Sequence, residues 1–283
     1  MKAMILAAGL GTRLRPLTDN IPKALVELNG RTLLEITIER LKSFGVNEFI
    51  VNVHHHAEKI VSFLQAKQNF GCRIELSRED DLLLDTGGGL KKAAWFFLEG
   101  NSTEPFFLHN VDVFSSIDLH RMLAAHKTSA ALATLAVQQR NSSRQLLFTA
   151  NNLLVGRRIH STDTFVGKRE IDEAPPNDRH SERTGGPSER GSGSPEKGSE
   201  ESAFSPNSPL PLAFSGIHVL SPRLLPLITE SGVFSIIDTY LRLASSGERI
   251  SAFRADQFYW RDLGRLEDLV QASTDMATRS FPY

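Results

Sequence analysis

An α/β fold built on a mostly parallel sheet is predicted by three observations. Short apolar runs alternate with amphipathic stretches from residue 2 to about residue 138. Strand-helix alternation of this kind needs crossover connections, which make neighbouring strands parallel. The chain is 283 residues long, enough to bury a substantial core in one large α/β unit. The first apolar run also feeds directly into a glycine turn, and α/β sheets place their ligands at the carboxyl ends of strands.

The elements follow in order. Residues 2–8 read as a buried strand, and 32–44 as an amphipathic helix with Leu33, Leu34, Ile36, Ile38 and Leu41 apolar. Glu48–Val53 is a second strand and Glu58–Lys67 a second helix. Arg73–Ser77 is a third strand, and Gly89–Leu98 a third helix opening at a glycine run. Phe106–His109 is a fourth strand, ending on the polar cluster Asn110-Val111-Asp112; a helix over Leu119–His126 and a strand over Ala130–Gln138 come next. Gln145–Phe148 and Leu153–Val155 flank Thr149-Ala150-Asn151-Asn152 and read as a β-hairpin. Residues 167–211 hold seven of the thirteen prolines and one aromatic, Phe204, so this segment lacks the apolar surface to offset its ordering entropy. It reads as a disordered insertion. Regular structure resumes with a strand over Leu212–Leu220, a helix over Ser235–Ser245, strands near 250–254 and 258–262, and a last helix from Leu263. One domain over 1–278, interrupted by 167–211, is the expected organisation.

Composition narrows the partners. A formal charge of −1 gives no basic surplus for nucleic acid or an anionic membrane. The single cysteine, Cys72, excludes an internal disulfide and a Cys-rich zinc site, and fits a reducing cytoplasm. Lys2 before an apolar run imitates a signal peptide, but Arg13 and Arg15 follow closely, so the run is read as a strand. No apolar stretch approaches the ~20 residues needed to span a bilayer. A cytoplasmic protein is expected, and nothing in the sequence decides between monomer and homo-oligomer.

The glycine turn carries the first chemistry. Ala3-Met4-Ile5-Leu6-Ala7-Ala8 breaks into Gly9-Leu10-Gly11-Thr12-Arg13-Leu14-Arg15-Pro16-Leu17-Thr18, with Pro22-Lys23-Ala24-Leu25 beyond. Backbone N–H groups after a strand form an anion nest, and glycines let phosphate oxygens come close. Arg13 adds a planar cationic fork and Lys23 a point charge. The P-loop string Gly-x-x-x-x-Gly-Lys-Ser/Thr does not occur. A dinucleotide fingerprint would need glycine where Leu14 stands. A plain strand-to-helix turn would require neither the arginine nor the Pro-Lys in register with it.

Gly9-x-Gly11-Thr12-Arg13-x-x-Pro16-Leu17-Thr18 with Pro22-Lys23-Ala24-Leu25 resembles the signature of the sugar-1-phosphate nucleotidyltransferases. The resemblance covers residues 1–166 and 212–270. It implies a Rossmann-like three-layer α/β/α nucleotidyltransferase fold, with a mostly parallel but mixed central sheet and a small β-rich sugar-side portion near the C-terminus. It also implies attack of a sugar-1-phosphate oxygen on the α-phosphorus of a nucleoside triphosphate, with Mg²⁺ as cofactor. On this reading Arg13 grips the β- and γ-phosphates, and Lys23 bridges the α-phosphate and the sugar phosphate. Leu6, Ala7, Ala8, Gly9, Gly11 and Thr12 complete the nucleotide loop. Asp112, just past an apolar strand, and Asp262, in Trp260-Arg261-Asp262-Leu263-Gly264, match the family's two metal aspartates.

The glycine cluster at Asp85-Thr86-Gly87-Gly88-Gly89 would be the base-reading loop, with Thr86, Gly87 and Gly88 against the base. Its Thr-Gly-Gly-Gly string resembles the N-acetylmuramate-1-phosphate uridylyltransferase branch, which implies UTP as donor and a place in cell-wall recycling. Guanylyl transfer to mannose-1-phosphate, and uridylyl or thymidylyl transfer to glucose-1-phosphate, are the alternatives. Asp85, Asn110, Phe214 and Gly216 would face the sugar. Val111 stands where the family often has glycine, and the Glu-Lys-Pro string that many members use for the sugar is absent from residues 155–170. A non-catalytic regulatory subunit of the same fold would tend to lose Arg13 or a metal aspartate, and all are present. Three consecutive histidines, His54-His55-His56, point in different directions after a strand and do not converge on one ion.

Overall fold

A computed structural model describes residues 1–166, 208–279 and 281. The parallel part of the fold contains β1 (Lys2–Leu6), β4 (Glu48–Val53), β5 (Arg73–Arg78) and β6 (Phe106–Asn110), with β1 between β4 and β6. Between β1 and β4 lie α1 (Leu33–Ser43) and a two-residue hairpin, β2 (Glu27–Leu28) and β3 (Arg31–Thr32), closed by Asn29-Gly30 with both φ positive. Thr32 accepts from the Glu35 N–H and caps α1. Helix α2 (Ala57–Ala66) crosses from β4 to β5, and α3 (Asp85–Lys92) with α4 (Ala94–Leu98) from β5 to β6.

Beyond β6 the sheet turns antiparallel. β7 (Val113–Ser115), α5 (Leu119–Ser129) and β8 (Ala133–Gln138) are followed by the ribbon of β9 (Arg144–Phe148), β10 (Leu154–Ile159) and β11 (Thr162–Phe165). The long β12 (Leu210–Leu220) pairs antiparallel with β6, β8 and β9, so one strand joins the two regimes. It does so by shifting register between Phe214 and His218, around Gly216 at φ 73°. Helix α6 (Ile236–Ser245), β13 (Ile250–Arg254, parallel to β8), β14 (Trp260–Asp262, antiparallel to β7) and α7 (Leu266–Thr278) complete the chain.

Alternation along the strands supplies two cores. Ala3, Ile5, Phe49, Val51 and Phe107 face the layer containing α1, α2, α5 and α7. Met4, Ile50, Phe106 and Leu108 face α3, α4 and α6. This is the expected three-layer α/β/α arrangement with a mixed sheet.

Several boundaries differ from expectation. The first strand stops at Leu6, because the Ala7 N–H leaves the ladder for the Asn52 side chain at 2.7 Å. The third helix begins at Asp85, so Gly87–Gly89 lie inside a helix instead of forming a loop before one. Ala130, at φ 50°, closes α5, which delays the next strand to Ala133. β7 and β11 have too little apolar pattern to announce themselves; all four residues of β11 are exposed. The last helix starts at Leu266, because Leu263 is held by its N–H bond to the Asp112 carbonyl (2.8 Å). Of the segment read as disordered, residues 208–211 are described, and Leu210 and Pro211 belong to β12, paired with Phe148 and Leu147. Residues 167–207 lie outside the described residues.

Candidate active site

The carboxyl ends of β1 and β6 open onto one cleft, as an α/β sheet dictates. The side on which phosphates are expected, called the phosphate side below, is a cavity of about 370 Å³ lined by Leu6, Ala7, Gly9, Gly11, Arg13 and Lys23, together with Asp112 and Gly264. An adjoining cavity of about 360 Å³ is lined by Ala8, Asn52, Asp85, Thr86 and Asn110, and shares Leu6, Gly9, Leu83 and Asp112 with the first. A third, of about 760 Å³, holds Asn110, Arg140, Phe214, Gly216, Trp260 and Asp262, and touches the phosphate side through Arg13. Thr12 also lines the phosphate-side cavity, so the cleft gathers every sequence-predicted site residue except Gly87 and Gly88.

Two ion pairs span the phosphate side. Lys23, almost buried in a short 3₁₀ turn after Pro22, bonds to Asp112. Arg13 Nη2 lies 4.0 Å from Asp262 Oδ1. The β14–β7 pairing brings the aspartates together: Asp262 is opposite Val113, the residue after Asp112, and the Asp112 carbonyl accepts from the Leu263 N–H. Burial and the neighbouring Asp112 carboxylate push the Asp262 carboxyl above its usual range, while Lys23, the Gly264 N–H and Arg13 pull it down. Gly264 donates to Asp262 Oδ1 at 2.7 Å, and a Cβ there would meet that oxygen at 2.4 Å and Arg13 Nη2 at 2.7 Å. The missing side chain of Gly264 is therefore what lets the arginine and the aspartate meet.

Two adjacent carboxylates without histidine or cysteine form a hard donor set suited to Mg²⁺. Among the described residues no cluster of three or more His, Cys, Asp or Glu could hold a metal. A cation on Asp112 and Asp262 would therefore complete its shell from phosphate oxygens and water, which is how Mg²⁺ is commonly bound.

The side expected to face the base, called the base side below, is braced by a buried polar strut that the sequence did not reveal. Asn52 accepts from Ala7 N–H (2.7 Å) and donates to Glu79 Oε1 (2.8 Å), while Glu79 Oε2 accepts from Leu84 N–H (2.8 Å). The strut ties the phosphate loop to the segment leading into α3. The glycine run has a packing explanation. Cβ atoms at Gly87 and Gly88 would meet Phe234 at 2.4 Å and the Gly232 carbonyl at 2.5 Å, and one at Gly89 would meet Glu79 Oε1 at 2.9 Å. The Gly87 and Gly88 N–H groups are both directed at the Phe234 carbonyl. Thr86 Oγ1 accepts from Ile236 N–H (3.0 Å), so it satisfies the first N–H of α6, whose N-cap is Ser235, instead of capping its own helix. Asp118 caps α5, accepting from Arg121 N–H.

On the side expected to face the sugar, called the sugar side below, Gly216 brings β12 against Asn110, whose Nδ2 would lie 2.9 Å from a Cβ there. Arg140 carries no sequence signal, since it sits in a polar loop with no motif. Its guanidinium lies 3.7 Å over the Trp260 ring and donates from Nη2 to the Phe214 carbonyl at 2.7 Å. Burial lowers its pKa, partly offset by the Asp262 charge. Val111 is buried, and its carbonyl accepts from Thr37 Oγ1 (3.2 Å). His54 Nδ1 contacts the Glu79 carbonyl at 2.6 Å and the His55 and His56 rings face each other at 3.8 Å, an arrangement without a shared metal focus.

The fold and the charged cleft define the class: an α/β protein with paired cations and carboxylates at the carboxyl ends of parallel strands. Residues 2–146 match the Nucleotidyl transferase family, and the chain belongs to it. It is 28% identical over 297 residues to a UTP–glucose-1-phosphate uridylyltransferase of Synechocystis sp., covering 99% of this chain and 64% of the relative. It is 45% identical over 112 residues to an N-acetylmuramate alpha-1-phosphate uridylyltransferase of Caulobacter vibrioides, covering 39% of this chain and 45% of the relative. A mannose-1-phosphate guanyltransferase of Gibberella zeae matches at 34% over 174 residues, 60% of this chain and 47% of the relative. The chain thus spans less than two thirds of the length of these relatives. A solved UDP-glucose pyrophosphorylase in complex with UDP-glucose superposes with a TM-score of 0.66 at 17% identity, over 99% of both chains, which shows the shared fold.

Proposed function

We propose that the protein transfers a nucleotidyl group from a nucleoside triphosphate to a sugar-1-phosphate. The observation that carries this reading is the convergence of Arg13, Lys23, Asp112 and Asp262 on one cleft at the ends of β1 and β6. An oxygen of the sugar phosphate attacks the α-phosphorus, a new P–O bond forms, and the bond from the α-phosphorus to the α,β-bridging oxygen breaks to release pyrophosphate. Both reactants are anions, so alignment and charge neutralisation are the main tasks of the protein. Arg13 would hold the leaving phosphates. Lys23, placed between Gly11 and Asp112, would offset charge where the two substrates meet. Asp112 and Asp262 would hold Mg²⁺, which supplies electrostatic stabilisation of the phosphoryl oxygens when bound.

UTP and N-acetylmuramate-1-phosphate are our preferred pair. Support comes from the Thr86–Gly89 string and from the Caulobacter relative, whose name carries both. Guanylyl transfer to mannose-1-phosphate is the competing reading, favoured by the Gibberella relative. Pyrophosphate release, measured for UTP, GTP, dTTP, CTP and ATP against a panel of sugar-1-phosphates with Mg²⁺, separates them. UTP with N-acetylmuramate-1-phosphate is expected to be the fastest pair. A faster GTP–mannose-1-phosphate pair would overturn that choice, and turnover of no pair would overturn transferase activity itself.

A further inference from the structure

We propose that Arg140 is a carboxylate receptor on the sugar side of the cleft, so that the acceptor sugar carries an acid group in addition to its phosphate. The inference rests on the transferase reading and assigns the chemistry of its second substrate.

Arg140 is held rigidly. Its guanidinium stacks on Trp260 at 3.7 Å and donates to the Phe214 carbonyl at 2.7 Å, and Trp260 is itself fixed by its Nε1 bond to the Ser215 carbonyl at 2.7 Å. Such a platform presents a planar fork in one orientation, the arrangement suited to a carboxylate. The cation is only partly compensated. The Asp262 charge offsets some of its burial, but among the described residues no carboxylate pairs with it within 4 Å, and its Nε is buried without a hydrogen-bond partner. A partly buried charge with one hydrogen bond out of five donors is costly unless an anion completes it.

The surroundings add to the imbalance. Arg261 and Arg265 line the same cavity, but Arg261 is paired with Asp268 and Asp275, and Arg265 with Glu267. Arg144, also in the lining, has no ion pair among the described residues. Position then distinguishes which anion is meant. The sugar phosphate must reach the Lys23–Asp112 end, whereas Arg140 is outside that cavity and stands with Phe214 and Gly216. A neutral hydroxyl would not require a desolvated guanidinium. A carboxylate on the ring or on an ether-linked substituent would.

The test compares kcat/KM for N-acetylmuramate-1-phosphate with that for N-acetylglucosamine-1-phosphate, which differs only in lacking the lactyl acid. Wild type is expected to prefer the acid at least tenfold. Arg140→Met should lower that preference by about 10- to 100-fold, the scale of a charge-assisted hydrogen bond, and Arg140→Lys should lose less. Melting temperature and circular dichroism establish that the variants fold. Equal losses on both sugars would mean that Arg140 grips the phosphate, and would overturn the proposal. So would a wild-type preference for neutral sugars, which leaves transferase activity standing. Calorimetric titration with unphosphorylated N-acetylmuramate and N-acetylglucosamine decides the matter even if no pair turns over. Tighter binding of the acid, lost in Arg140→Met, is expected; equal binding refutes the carboxylate site.

Discussion

The two halves of the cleft treat charge in opposite ways. On the phosphate side each cation already has a carboxylate, Lys23 with Asp112 and Arg13 with Asp262. On the sugar side Arg140 has an aromatic face and one carbonyl, with no carboxylate in ion-pair contact among the described residues and only the nearby Asp262 charge to offset its burial. The phosphate side is therefore neutralised by its own carboxylates, and on the proposed reading incoming phosphates with their metal would exchange partners with it. The sugar side is preorganised around a charge without an ion-pair partner, and on the proposed reading would gain one on binding. The halves differ in backbone as well. Parallel strands with crossover helices build the first, and antiparallel strands hung on β12 build the second.

The largest expected effect breaks the neutral side. Asp112→Ala would free Lys23 and remove half of the carboxylate pair, so turnover should fall by roughly 10³-fold or more. Circular dichroism should be unchanged, because Asp112 lies beyond the end of β6. Asp262→Ala should behave alike. Activity within tenfold of wild type for either variant would remove that aspartate from the chemistry.

Next in size is an acid-sensitive seam between the halves. His109 on β6 and His218 on β12 sit at the pairing that joins them. Burial, with Arg40 beside it, holds His109 down to about 3; burial, with His109 beside it, holds His218 down to about 3. His126, behind β8 and bonded to Thr134, is held to about 4 by burial and Lys127. The unfolded chain protonates these rings near pH 6.5 while the folded chain does not. Stability is thus complete above about pH 6.5 and falls as pH drops toward 4, by about 1.4 kcal/mol per pH unit for each histidine. Urea denaturation between pH 7.5 and 4.5 should show this slope, and His126→Gln should reduce it by about one histidine's share. A flat profile would contradict the buried neutral histidines.

A smaller effect sharpens the base side. In the strut, Asn52→Asp sets two acceptors against each other, and Glu79→Gln turns one of two acceptors into a donor. Each single change should cost about 1–3 kcal/mol and raise the triphosphate KM more than it lowers kcat, since the strut ties Ala7 to Leu84. The double exchange restores every bond: the carboxylate introduced at position 52 would accept from Ala7 and from the new amide at position 79, whose oxygen accepts from Leu84. Recovery of both stability and KM in the double variant is expected; additive losses would show that the strut does not position the loop.

These contrasts also explain what the sequence revealed. The phosphate side draws on a 25-residue stretch plus two aspartates in recognisable contexts, so the sequence could single out Arg13, Lys23, Asp112 and Asp262 as a group, and the fold gathers them in one cleft. The strand-helix alternation is legible for the same reason: local periodicity reports local burial. The strut and the Arg140 platform are not. Asn52 and Glu79 are 27 residues apart, and Arg140 meets Phe214 across 74, so only the folded sheet brings them together. The glycines at 87–89 read as a loop in the sequence because glycine signals either a turn or a close approach, and the neighbours that decide, Phe234 and Gly232, lie far along the chain.

The smallest expected effect lies beside the largest. Arg15 is two residues from Arg13 in the same glycine-arginine loop, and sequence alone gives it the same charge and nearly the same address. Its side chain is 67% exposed and pairs only with Asp19 at 3.3 Å among the described residues, a surface contact worth about 0–1 kcal/mol. Arg15 is also absent from the lining of the phosphate-side cavity, whereas Arg13 is part of it. Arg15→Ala should therefore leave kcat/KM within about twofold and the melting temperature nearly unchanged, while Arg13→Ala raises the triphosphate KM steeply. If the two variants were equally impaired, the loop would be gripping phosphate through its overall charge, and the pairing of Arg13 with Asp262 across Gly264 would lose its meaning.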